Sequence, residues 1–163
     1  MTQILIATRK PQPFAAIMLR VSQPDIAAKA PPLIGEVIAW IKAHGGETVG
    51  APFFNYVNFY PDDTMDMQVG MPTATLMAGD GEVTTGTLPE GRYCSLIHDG
   101  PYHELHQANM TLLDWAKGAG HQLDGTVDGD RFIGATRLEI YLSDPGESPS
   151  GNPVTEVRFR LAD

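Results

Sequence analysis

One cysteine, Cys94, is present in 163 residues. An internal disulfide is therefore impossible, and the fold must rest on its core rather than on covalent staples. No apolar run comes near the roughly 20 residues that span a bilayer. The opening stretch MTQILIATRKP lacks the charged start, apolar run and small-residue cleavage site of a secretion signal. A cytoplasmic location with no membrane partner is the resulting expectation. Positive charge is scarce as well: 11 Lys and Arg face 20 Asp and Glu, a net charge of −9. Phosphate backbones are held by clustered basic groups, so direct nucleic-acid binding is not expected. Cationic ligands or a basic partner surface are compatible with this charge. Nucleophile elbows, P-loops and dinucleotide fingerprints are missing too. His103 and His106 lie three apart with no third ligand in view, so neither metal nor cofactor is expected.

What is present reads as one ordinary globular domain over residues 1–163, with 42% hydrophobic and 19% charged residues. Residues 3–8 and 14–22 alternate as strands around the Pro11–Pro13 break. Pro31-Pro32 opens a helix whose stripe Ile34, Val37, Ile38 and Ile41 runs to a Gly45-Gly46 cap. The aromatic strand 51–60 turns at Pro61-Asp62-Asp63 into 65–71. After Gly79-Asp80-Gly81 come strands 82–88 and 92–98, then a helix from Gly100-Pro101 to Gly118–Gly120 burying Leu105, Leu112, Leu113 and Ala116. Strands 132–142 and 154–161 follow.

The order repeats. Trp40, Lys42, Gly45 and Gly50 recur as Trp115, Lys117, Gly120 and Gly125 at one offset (115 − 40 = 75). A constant offset in the same helix-to-strand position points to an internal duplication, about 1–78 and 79–163. The predicted class is α+β. Two β-α-β-β halves form an antiparallel sheet, with helices on one side and a concave ligand pocket at the pseudo-twofold on the other.

Within the last third, Leu138, Ile140 and Leu142 fall on one face of a strand and Arg137, Glu139 and Tyr141 on the other. An acid opposite a core face is either solvated or buried and used. Aligning Val57–Tyr60 with Leu138–Tyr141 at an offset of 81 (139 − 58), after a six-residue insertion (81 − 75), sets Glu139 where the first half has Asn58. Phe54, Tyr56, Asn58 and Tyr60 then join Glu139 and Tyr141 on one face. These rings are either core filling or the walls of a site for a flat, lipophilic cation. Burying about 200 Å² of ligand contributes roughly 5 kcal/mol. A carboxylate about 4 Å from a cation adds up to about 4 kcal/mol at an effective dielectric of 20, before desolvation. Cys94, inside a strand, reads as a buried thiol rather than a nucleophile.

The stretches LPEGRYCSLIHDGPYHEL (88–105), Trp115 with Gly120, and LEIYLSDP (138–145) with the closing strand that holds Thr155 together resemble the GyrI-like (gyrase-inhibitor-like) effector-binding domains. Gly-Pro-Tyr at 100–102 and Glu-x-Tyr-x-x-Asp-Pro at 139–145 are the most telling matches. Such domains also form the C-terminal parts of AraC-type bacterial regulators. The resemblance implies a hydrophobic central pocket with an acid for cationic or lipophilic ligands, a role that falls to Glu139 with Tyr141 beside it. With a strand beginning at Gln3, the expectation is the ligand-binding part alone, with no helix-turn-helix ahead of it. Three functions stay open: capture of aromatic or cationic small molecules; hydrolysis of strained electrophiles such as cyclopropane-bearing antibiotics, with Glu139 as general acid or base and Tyr141 as hydrogen-bond donor; and inhibition of a protein partner such as gyrase. The sequence leaves the oligomeric state open.

Overall fold

Alternating apolar side chains lay down ten strands, which the computed structural model describes within residues 3–163; Met1 and Thr2 lie outside the described residues. They are β1 (Ile4–Arg9), β2 (Gln12–Ser22), β3 (Phe53–Phe59), β4 (Thr64–Pro72), β5 (Thr84–Leu88), β6 (Gly91–Asp99), β7 (Thr126–Asp128), β8 (Arg131–Ile133), β9 (Arg137–Ser143) and β10 (Val154–Arg160). Three helices accompany them: α1 (Ile26–Lys29), α2 (Pro31–Ala43) and α3 (Leu105–Gly118). The main path of the sheet runs β1-β6-β10-β9-β3-β4-β2-β5, while the β7–β8 hairpin attaches to β3 through Phe59 and Phe132. Every pairing is antiparallel.

Both long helices end as their glycines predict. Gly45 (φ 75°) and Gly120 (φ 80°) take the left-handed cap position. The next residues donate back to the helix, Gly46 N–H to the Ile41 carbonyl and His121 N–H to that of Ala116. The strands of the two halves correspond as well, but with a different alignment. β3 meets β9 with Phe54 opposite Glu139, and each strand loses register once, next to Tyr56 in β3 and next to Tyr141 in β9. The matching offset is therefore 85 (139 − 54), and Phe54, not Asn58, is the counterpart of Glu139. The added length between helix and strand holds the β7–β8 hairpin, and the expected strand 132–142 is split into β8 and β9 by a break at Gly134 to Thr136.

Two residues, Lys10 and Pro11, join β1 at one end of the path to β2 near the other. Three peptide steps reach at most about 11 Å, so the sheet has to curl until the end of β1 comes near the start of β2. The curl gives it a convex and a concave face. Helices cover the convex face. α1 and α2 lie over Phe54, Met67 and Val69, and α3 over Cys94, Leu96, Val157 and Phe159. Inside the curl, Phe14, Phe53, Tyr93 and Leu138 pack together, with Phe14 edge-on to Phe53 at 5.7 Å.

Gly70 lies under the Phe53 ring, where an added Cβ would sit 2.5 Å from Cζ. Gly70→Ala must push that ring out of the concave core. The expected loss is about 1–3 kcal/mol, read by urea unfolding.

Cross-strand pairing decides which face each candidate takes. The antiparallel α+β sheet with helices on one face is as expected, but Glu139 is on the helix side, not on the open concave one. The first half of strand β9 is buried on both faces. Leu138 fills the concave core, and Glu139 fills the seam between the two helical units.

Candidate ligand-binding site

Glu139 is 6% exposed, and both of its oxygens are held. Oε1 accepts from Tyr56 Oη and from Tyr141 Oη, each at 2.8 Å. Oε2 accepts from Asn109 Nδ2 at 2.8 Å. The two tyrosines are positional counterparts, each sitting where its strand loses register. They clamp one carboxylate from the two sides of the seam. All three donors are neutral. Among the described residues no Lys, Arg or His forms an ion pair with Glu139.

Aromatic walls surround this group. Phe54 meets Tyr141 edge-on at 4.8 Å, and Tyr102 approaches Tyr141 edge-on at 6.1 Å from the short turn before α3. Tyr102 is 43% exposed and forms the outermost wall. Thr155, directly across from Tyr141, is fully buried, and its hydroxyl has no hydrogen-bond partner. An unpaired buried hydroxyl is unusual and marks a place where a polar group is left unused.

Of the six residues expected to converge, Glu139, Tyr141, Phe54 and Tyr56 do so. Asn58 and Tyr60 do not. A β-bulge at Val57, between Tyr56 and Asn58, inserts one residue and switches the faces beyond it. Phe59 takes the helix side instead and packs with Met65. Asn58 and Tyr60 pass to the concave side, where both donate to Asp66 Oδ2, at 3.0 and 2.5 Å. Asn109 and Tyr102 were missed. Asn109 sits one helical turn after Leu105 and donates to its carbonyl as well. A polar residue there, on the rim of the buried stripe, was the available signal.

The phenols are tuned by the same burial. Burial, then the Glu139 charge and hydrogen bond, pushes Tyr56 well above its ordinary value. Burial and the Glu139 charge do the same to Tyr141. Tyr93, in the concave core, is pushed up to about 12 by burial. A raised phenol contributes stability that is complete below pH about 10 and is lost as pH climbs through the folded-state value. Tyrosinate absorbance at 295 nm should therefore rise together with loss of the fold above pH about 10. Ionisation of all five tyrosines near pH 10 in a still-folded protein would contradict the packing.

Comparison with known proteins assigns the family. A family model described as the GyrI-like small molecule binding domain matches residues 2–162. The chain belongs to the GyrI-like family. No curated protein sequence matches this GyrI-like domain. Among solved structures, the C-terminal domain of EcmrR superposes with a TM-score of 0.78 at 20% identity, covering 100% of this chain and 99% of that one. In the EcmrR–DNA complex the same likeness covers 99% of this chain but 58% of the longer one. SAV2435, solved with tetraphenylphosphonium bound, gives 0.61 at 15% identity, covering 98% and 94% of the two chains. A hydrolase from Listeria innocua gives 0.59 at 15% identity, covering 98% and 92%. At these identities the likeness is one of fold. The GyrI-like domain is a small-molecule binding domain, and among its described residues no helix is long and apolar enough to cross a membrane.

Proposed function

We propose that this GyrI-like domain captures lipophilic aromatic cations in the seam between its helical units, with Glu139 as the counter-charge. One observation carries the reading: a carboxylate removed from water, ringed by phenols and a phenylalanine, with no cation among the described residues to neutralise it. An isolated buried charge is costly. A ligand cation replaces the missing partner, while Phe54, Tyr56, Tyr141 and Tyr102 supply faces and edges for its rings. The unpaired Thr155 hydroxyl offers a further polar contact. The bound tetraphenylphosphonium of SAV2435 belongs to that protein, but it supplies a suitable probe.

Both Glu139 oxygens already accept hydrogen bonds, which favours holding a charge over activating a water. A ligand has to displace part of this closed arrangement. Tyr102, the most exposed wall, is the side chain best placed to give way.

Isothermal titration of the whole chain with tetraphenylphosphonium and with neutral triphenylphosphine oxide tests the reading. Saturable binding of the cation, with the neutral compound at least roughly tenfold weaker, is the expected result. Equal affinity for both would remove the role given to the carboxylate.

A further inference from the structure

The concave face carries a second recess, with the opposite charge. Where β1 passes through Lys10 and Pro11 into β2, a cavity of about 350 Å³ opens between Arg9, Lys10 and Arg158 on its polar side and Leu88, Tyr93 and Leu138 on its apolar side. That volume is within the range of small-ligand sites. Leu138 and Glu139 are successive residues facing opposite ways, so this recess is separated from the seam by the thickness of the sheet.

Its charge is unbalanced. Three of the chain's 11 basic residues line it, in a protein of net charge −9. Glu156 is the acid beside them. It accepts from Arg158 Nε at 2.6 Å and lies 3.8 Å from Arg9 Nη2. Lys10 has no ion-pair partner among the described residues. Three cations against one carboxylate leave two formal positive charges. Arg9 Nε is buried and has no hydrogen-bond acceptor. Burial and then the Arg158 charge lower the Arg9 pKa, and the opposing pull of Glu156 is too small to offset them.

A freely solvated guanidinium would give each N–H to water. Here one is turned inward, beside a like charge and an apolar wall. An arginine pair presents a forked set of donors suited to carboxylate or phosphate oxygens. We propose that this recess binds a small organic anion. Its carboxylate or phosphate head lies on Arg9 and Arg158, and its apolar body lies against Leu88, Tyr93 and Leu138.

The test is a titration of the whole chain in about 0.15 M salt, by calorimetry and by amide chemical shifts. The probes are phenyl phosphate, benzoate, inorganic phosphate and neutral benzyl alcohol. Phenyl phosphate, benzoate or both should bind saturably at one site per chain, with shifts centred on Arg9, Leu88 and Tyr93. Arg9→Gln and Arg158→Gln should each weaken binding roughly tenfold or more, the scale of one charge-assisted hydrogen bond. Lys117→Gln makes the same charge change on the exposed side of α3 and should leave the affinity unchanged. Should the arginine variants fail to fold, exposed Lys10→Gln decides, with an expected loss of about threefold. The proposal is overturned by absence of saturation up to roughly 10 mM, or by benzyl alcohol or inorganic phosphate binding as tightly as the aromatic anions. Equal losses from Lys117→Gln and Arg9→Gln, or no loss from Lys10→Gln where it has to decide, would overturn it too.

Discussion

Replacing Glu139 by Gln is expected to weaken tetraphenylphosphonium binding by roughly 10- to 100-fold. Affinity for a neutral aromatic of similar size should change by no more than about threefold. The gross attraction at about 4 Å is up to about 4 kcal/mol at an effective dielectric of 20, and desolvation of both charges removes part of it. Gln keeps the shape of the side chain and an oxygen for the hydroxyls of Tyr56 and Tyr141, so the aromatic walls stay in place. The ligand-free variant should melt close to the wild type: the substitution removes a buried charge with no cationic partner among the described residues, but its new amide NH2 faces Asn109 Nδ2 and costs that hydrogen bond. Much weaker cation binding with near-wild-type intrinsic stability separates a lost counter-charge from a damaged fold. Unchanged cation affinity in a folded Glu139→Gln protein would place the site elsewhere.

The largest stability effect is expected two residues earlier. Arg137 Nη1 donates to Asp124 Oδ1 at 2.6 Å and Nη2 to the Asp124 carbonyl at 2.8 Å, with both side chains only 10–11% exposed. The guanidinium lies 5.5 Å from the Phe159 ring centre and 5.7 Å from that of Phe132. Arg137→Met preserves the stem and the packing but strands the Asp124 carboxylate, which then keeps only the Thr136 N–H. Breaking a buried pair from one side costs about 3–5 kcal/mol. For a chain of this length that lowers the melting temperature by roughly 6–20 °C. Adding Asp124→Leu should recover much of the loss, because no unpaired charge remains. A double-mutant cycle reads the coupling. A single variant melting within a degree or two of wild type would mean that water reaches Asp124 and the pair is not structural.

Much of the architecture could be read from side-chain order. Alternation marked the strands, the glycines at 45 and 120 marked helix ends, and the Asp62-Asp63 turn marked the β3–β4 hairpin, because each depends on neighbours a few residues apart. The acid–phenol pair Glu139 and Tyr141 could be found in the same way, since period two places both on one face. Tyr56 shares that face and reaches Glu139 from the other half. Asn58 and Tyr60 were placed wrongly because period two holds only while register holds, and the bulge at Val57 is fixed by pairing with β4, a partner outside the local sequence. Likewise, Asn109 touches Glu139 across 30 positions of chain, and nothing local to either residue encodes that meeting.

The sequence alone therefore determined that an antiparallel α+β domain would carry one acid beside a tyrosine on a strand with a core on its other face. These are consequences of periodicity and turn chemistry. Only the tertiary structure decided which side of the sheet that acid faces, which tyrosine from the other half completes its clamp, and that no cation among the described residues neutralises it. It alone curled the sheet so that Arg9 and Arg158 came to share one recess. Those outcomes depend on long-range register and on which face the helices cover, and both are set by burying the whole apolar surface at once rather than by any single stretch of chain.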